Sequence, residues 1–265
     1  MKYLWLVPVF LLLLVGFAHA ANSHYATFNS TANQYLSASD SSSLSPTGAL
    51  SLQFAIKLAG TPADAQGVFG VYNAGSQSYM IQRDGDNRLR FIIYNSSGAR
   101  TDFTMTSALS TGTWYCVMGT FNPSTRFEWL VSSGCTGGYS TDLTTTTSIP
   151  ANIKDGTGGF YIGAFGAYVG TAANNLNGSI DDIRVWSEVH NGASDYNCQI
   201  AGSETNLNAY WKLNNALTDS TSNANNLTNT GSTPFNTTSL PFSGDCGGGG
   251  GGGAAPRFGD IIIFE

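Results

Sequence analysis

Asn175-Leu-Asn-Gly-Ser-Ile-Asp-Asp-Ile-Arg-Val-Trp186 reads as one buried strand, and the chain on either side supplies its neighbours. Ile183 and Val185 share the parity that points inward, Arg184 and Trp186 share the other, and Gly178-Ser179 lets adjoining backbone approach closely. Ile180 is out of phase with that alternation. The shift predicts a bulge or a strand entry at Asp181-Asp182, which leaves two adjacent carboxylates at the mouth of an apolar strand. In an unbroken strand they would face opposite sides, and each needs a partner.

The chain has 265 residues, enough for one sizeable all-β domain with a real core. Lys2, the apolar run Leu4 to Phe17 and Ala18-His19-Ala20 make residues 1–20 a secretory signal peptide, with the mature chain expected to start at Ala21. That run is too short for a stable membrane span, so no transmembrane anchor is expected in the mature chain. Losing Lys2 takes the formal charge from -6 to -7, which disfavours nucleic acid and anionic membrane as partners. Only 11% of residues are charged, Ser, Thr, Asn and Gly abound, and no long 3.6-residue period runs through the chain. Short strands joined by turns are expected.

Strands are expected at His24 to Phe28 and Gln34 to Ala38, paired as an edge hairpin, and at Leu50 to Leu58, where apolar and polar residues alternate cleanly. An antiparallel meander then runs through Val68–Tyr72, Tyr79–Arg83, Leu89–Tyr94 and Arg100–Met105. Trp114–Phe121 and Arg126–Val131 form the next hairpin, closed by Asn122-Pro-Ser-Thr125. Thr141 to Asp155 reads as a loop, Phe160 to Gly163 as a short strand, residues 188–203 as a short helix or helical turn, and Leu207 to Leu213 as the last clear strand. Beyond Cys246, seven glycines (Gly247 to Gly253) read as a flexible spacer before a tail that ends Asp260-Ile-Ile-Ile-Phe-Glu265.

Several stretches are similar to one family. Trp114-Tyr-Cys-Val-Met-Gly-Thr-Phe121 with Arg126-Phe-Glu-Trp-Leu-Val131 resembles the hairpin of LamG-type domains, laminin G-like members of the concanavalin A-like jelly rolls. Phe160-Tyr-Ile-Gly163 followed by Leu176 to Trp186, and Leu207-Asn-Ala-Tyr-Trp-Lys-Leu213 leading into Asp219 to Thr228, resemble further segments of it in the same order. The resemblance covers about residues 24 to 230. It implies an all-β, two-sheet antiparallel sandwich with jelly-roll connections over residues 21–246. Ser222, Ala224 and Leu227 stand where the family commonly has glycine, a departure that bears on the loop's conformation and on any ion it holds.

Four cysteines in the exported part, Cys116, Cys135, Cys198 and Cys246, imply two disulfides and allow three connectivities. The expected pairs are Cys116 with Cys135, within one hairpin, and Cys198 with Cys246, tying the segment after the helical turn to the domain's end. Simple hairpin register sets Cys116 opposite Val131. Five N-x-S/T sequons begin at Asn29, Asn95, Asn177, Asn226 and Asn236, of consequence only where exported proteins are glycosylated.

A catalytic member of this fold needs closely spaced acids, but the four glutamates lie far apart in sequence and Asp181 and Asp182 are adjacent. No catalytic residues are assigned. Trp114, Trp129, Trp186 and Trp211 read as packing residues. A ligand site is expected in the loop Gly163 to Asn175, with Phe165 and Tyr168 as rings and Asn174 and Asn175 as amide donors and acceptors. Tyr72, Tyr79 and Tyr94 are second choices. A structural calcium ion, which the resemblance implies in some members, would draw on Asp181 or Asp182, Asp219 and Asn223. The alternative is an Asx-turn at Asp219, with the aspartate pair neutralised by Arg184 or backbone N–H groups. The function expected is a secreted, non-catalytic binding or adhesion module for a glycan or a cell-surface glycoprotein. The alternatives are a structural surface component assembling through its C-terminal tail, or a glycan-active enzyme of the same fold.

Overall fold

The computed structural model describes residues 21–73, 75–166, 174–242 and 244–246. The expected leader (1–20), the glycine spacer and tail (247–265) and Tyr168 lie outside the described residues. In chain order the strands are β1 (Tyr25–Phe28), β2 (Tyr35–Ala38), β3 (Leu50–Leu58), β4 (Gln66–Val71), β5 (Tyr79–Arg83), β6 (Leu89–Tyr94), β7 (Arg100–Thr104), β8 (Trp114–Asn122), β9 (Arg126–Ser133), β10 (Ser140–Thr145), β11 (Phe160–Ile162), β12 (Gly178–Trp186), β13 (Cys198–Gln199), β14 (Leu207–Trp211), β15 (Thr228–Thr230), β16 (Phe235–Asn236) and β17 (Gly244–Asp245). One antiparallel sheet runs β10-β9-β8-β3-β12-β1-β16, with β14 also on β12. A second, seven-stranded sheet runs β15-β2-β11-β4-β5-β6-β7. The two face each other as a sandwich, the architecture expected from the sequence.

Strand β12 is buried along its whole length because it lies in the middle of the larger sheet. One of its edges pairs with β3 throughout. The other pairs with β1 at Gly178–Ile180 and with β14 from Ile183 onward. The register on β3 slips between Asp181 and Arg184, and Asp182 takes φ 52°, so the expected bulge sits where the partner strand changes. Its extra residue restores the inward parity: Ile180, Ile183 and Val185 all join the core. It also puts both carboxylates on the outer side of the sheet, where Asp181 lies across from Ala55 and Asp182 meets Arg184 and Tyr210. The expectation that adjacent aspartates face opposite ways holds only without that extra residue.

Inward residues of both sheets interdigitate in one core. Leu50, Leu52, Phe54, Ile56 and Leu58 of β3 face it, and Phe54 meets Phe69 of the opposite sheet edge to face with centroids 4.8 Å apart. Trp129 and Trp211 are buried in this core, while Trp114 and Trp186 are buried in separate clusters on the outer face of the larger sheet. The meander β4-β5-β6-β7 and the hairpin β8-β9 form as the alternation predicts.

Four local expectations are corrected. β1 and β2 are not a hairpin: β1 pairs β12 and β2 pairs β11, so Asn29–Asn33 carries the chain from one sheet to the other. Residues 140–145 form edge strand β10 although they lack apolar alternation, because threonine suits an exposed pleated edge. Residues 188–203 form no helix, and of the two readings it is a turn, at 193–197, that is present. Their backbone is held by side chains of the sheet beneath, with Ser51 Oγ accepting from His190 N and Arg184 donating to the carbonyls of Asp195 and Cys198. Hairpin register puts Cys116 opposite Ser132, and Gly134 (φ 66°) and Cys135 (φ 53°) curl the chain back. The structure contains the Cys116–Cys135 and Cys198–Cys246 disulfides, with Cα–Cα distances of 4.9 and 5.0 Å.

Candidate functional site

The loop that leaves β11 is pinned at its base. Gly163 takes φ 82°, its N–H donates to Val68 O at 2.7 Å, and Leu176 N donates back to Gly163 O at 2.8 Å. From there Ala164 and Phe165 cross directly over Gly67 of β4. A Cβ on Gly67 would lie 2.4 Å from the Ala164 carbonyl carbon, so only glycine lets the loop rest on the sheet. At its far end Asn175 bridges to Gly67, and its Nδ2 donates to Ala32 O at 3.0 Å.

This crossing delivers Phe165 onto the outer face of the seven-stranded sheet, against Met80, Ile92, Tyr72 and Tyr94. The rings of Tyr72 and Phe165 lie 5.8 Å apart and those of Tyr72 and Tyr94 6.1 Å apart. Tyr72 and Phe165 border a depression of about 310 Å³ whose described lining also includes Gln82, Arg100 and Asn174. Burial, then the adjacent Tyr94 hydroxyl, raises the Tyr72 phenol above its ordinary value, so it stays a neutral donor and acceptor.

Along one border a ladder of charge crosses β5, β6 and β7. Arg100 Nε and Nη2 donate to Asp102 at 2.6 and 2.8 Å, Arg90 reaches Asp102 at 3.3 Å and Asp84 at 2.7 Å. Two guanidinium groups answer two carboxylates. No carboxylate is among the described residues lining the depression.

Of the residues the sequence singles out, Phe165 and Asn174 reach the depression, joined by Tyr72, and Tyr94 packs beside Tyr72. Asn175 does not reach the depression: it is fully buried and its Nδ2 donates to Ala32 O in the crossing between β1 and β2. Tyr79 is likewise a core residue, its hydroxyl donating to Leu44 O at 2.6 Å. Gln82 and Arg100 went unnoticed in the sequence, where nothing distinguishes them from other polar strand residues. Only the parity of β5 and β7 in this sheet sets them beside the rings.

The expected calcium ligands are brought near one another but do not fit an ion. Asp219 Oδ1 accepts from Tyr210 N and Thr221 N, and Oδ2 from Thr221 Oγ1, Asn225 N and Asn225 Nδ2, all within 3.0 Å. Asp182 pairs with the Arg184 guanidinium and accepts from Tyr210 Oη at 2.8 Å. Tyr210 thus holds Asp219 with its backbone N–H and Asp182 with its hydroxyl, a side chain's length apart. Asp181 accepts from Asn22 Nδ2 and Asp182 N, and Asn223 Nδ2 donates to Asn208 O. Donor hydrogens and a cation point where Ca²⁺ would have to sit. The Asx-turn alternative describes this loop.

Burial pushes Asp182 up to about 6 against the pull of Arg184, and burial together with Asp182 raises Asp181 well above the carboxylate range. Arg184 also reaches Asp195, whose carboxylate takes His190 Nε2 at 2.9 Å while the His190 ring stacks on Trp186 with centroids 3.7 Å apart. This network is sealed beneath residues 187–203, as its role in holding that segment requires.

A family profile described as the concanavalin A-like lectin/glucanases superfamily matches residues 29–194. The chain belongs to this superfamily. Among solved structures, a candidate carbohydrate-binding protein from Bacteroides ovatus is similar over 84% of this chain and 62% of its own, at 14% identity and a TM-score of 0.61. The chain thus spans less than two thirds of that structure. Domains LG4-5 of the mouse laminin alpha1 chain match 63% of this chain and 42% of theirs at 18% identity, with a TM-score of 0.46. The CBM40 of Ruminococcus gnavus IT-sialidase, bound to alpha2,3 sialyllactose, matches 65% and 92% at 12% identity, with a TM-score of 0.45. A comparison with curated protein sequences gave no match.

Proposed function

We propose that this protein is a non-catalytic carbohydrate-binding module, exported from the cell, that holds a glycan on the outer face of its seven-stranded sheet. The observation that carries this reading is the cluster of Tyr72, Tyr94 and Phe165, of which Tyr72 and Phe165 line a depression together with Gln82, Arg100 and Asn174. Flat rings suit the apolar faces of a sugar, and a few fixed polar groups suit its hydroxyls. Hydrolysis of a glycosidic bond needs two carboxyl groups flanking it, and the described lining offers none. Export is supported by the leader-like residues 1–20 and by two disulfides, which persist in oxidising compartments.

The test is binding to a panel of immobilised oligosaccharides by the parent and by Tyr72→Ala and Tyr94→Ala, with thermal unfolding followed in parallel. Saturable binding by the parent and a loss of roughly tenfold, about 1.4 kcal/mol, in each folded variant is expected. Binding unchanged in both variants would place the site elsewhere.

A further inference from the structure

The rings on this face do not end at the depression. Tyr35 of β2 and Tyr161 of β11 point outward, since their neighbours Leu36 and Ile162 are in the core, and their rings lie 5.8 Å apart. Both are half-buried. Gly166, next to Phe165, joins the two groups: a Cβ there would lie 2.6 Å from the Tyr161 ring and 2.6 Å from Asn73 Oδ1, beside Tyr72. The outer face therefore carries Tyr35, Tyr161, Phe165, Tyr72 and Tyr94 in a diagonal row from β2 to β6. Four strand spacings separate its ends, about 19 Å. A single terminal sugar would use one end of such a row.

Charge narrows the chemistry further. Arg90 and Arg100, the guanidinium groups beside the rings, are matched by Asp84 and Asp102, and Arg100 spends two donors on Asp102. A ligand carboxylate or sulfate would meet two aspartates beside the two guanidinium groups and so find no net positive charge from these four side chains.

Resting on the reading of this face as a glycan site, we infer that the ligand is an extended, uncharged polysaccharide chain laid along the row, with Tyr35 and Tyr161 forming a second subsite beyond Phe165. The experiment is calorimetric titration with uncharged gluco-, xylo-, manno- and galacto-oligosaccharides of one to six sugars, and with oligogalacturonates of the same lengths. The parent, Tyr161→Ala and Tyr72→Ala are compared, each checked for an unchanged unfolding midpoint. Affinity for one uncharged series should rise at least tenfold from two to six sugars. Tyr161→Ala should lose roughly tenfold for the six-sugar chain and nothing for the two-sugar chain, whereas Tyr72→Ala weakens both.

Affinity independent of length, Tyr161→Ala binding six sugars as the parent does, or preference for the oligogalacturonates overturns this inference. Loss in Tyr72→Ala alone leaves the glycan site standing while removing the second subsite. No binding by the parent to any probe removes the functional reading itself.

Discussion

Asp219 shows how one side chain decides between an ion site and a turn. Its two oxygens accept five hydrogen bonds, three from backbone N–H groups, so truncation strands buried donors. Asp219→Ala should lower stability by about 3 kcal/mol in urea unfolding, and chelator or millimolar calcium should leave the parent's midpoint where it is. A midpoint raised by calcium would restore the ion. The buried aspartates set a pH dependence. Asp181 and Asp182 bind their protons more tightly folded than unfolded, so stability falls as pH rises from about 4 through their folded values. Burial pulls His190 down but Asp195 and Glu188 outweigh it, so its contribution is full below about 6.5 and is lost as pH rises past its raised value. Asp195 is opposed by burial, yet His190 and Arg184 lower it, and its contribution fades as pH falls below about 4. Denaturant midpoints measured from pH 3 to 9 should therefore peak near pH 4 and decline from there toward 8, less steeply above about 6.5 in His190→Gln. A profile still rising between 6 and 8 would contradict this balance.

Elements meet where glycine permits. Gly67→Ala drives a methyl group into the Ala164–Phe165 backbone, a contact no rotamer relieves. It should cost about 1–3 kcal/mol and weaken glycan binding while far-UV circular dichroism stays that of the parent. Binding at parental strength would mean that the crossing does not position the rings. The parallel pair β13–β17 is held by Cys198–Cys246 and by Cys246 N donating to Gln199 O at 2.8 Å. Beneath it Trp186, Ile200, Leu207 and Tyr210 are buried. Cys198→Ser with Cys246→Ser opens a loop of 48 residues and should reduce stability by about 4 kcal/mol, accompanied by a red shift in tryptophan emission as Trp186 meets water. An unchanged midpoint would show that packing alone holds the segment.

Across the whole molecule, what the sequence made legible is what depends on period. The alternation of Leu50 to Leu58 and the phase slip at Asp181-Asp182 located the central strands and the bulge, because inward parity leaves a mark in every second residue. Phe165 and Asn174, which line the depression, drew notice because rings and amides stood out in a glycine-rich loop. Sheet membership was not legible: Asn29–Asn33 has the composition of a hairpin turn, yet the burial of Phe28 and Leu36 on facing sheets makes it a crossing. Nor was the partnership of Asp219, since a carboxylate that holds backbone N–H groups and one that holds an ion follow the same residue pattern. The extended face was hidden for the same reason, its five rings coming from three strands, the end of β4 and a loop far apart in the chain.

The central claim is that this outer face is where ligand binds, and amide chemical-shift mapping tests it most directly. The titrant is whichever oligosaccharide of the immobilised panel the parent binds, the panel itself being part of the measurement. The account predicts shifts at Tyr72, Tyr94, Arg100 and Phe165, extending to Tyr161 with a six-sugar chain. Shifts gathered around Thr106 and Asp142, or over Trp186 and His190 on the opposite sheet, or a panel with no binder, would contradict it.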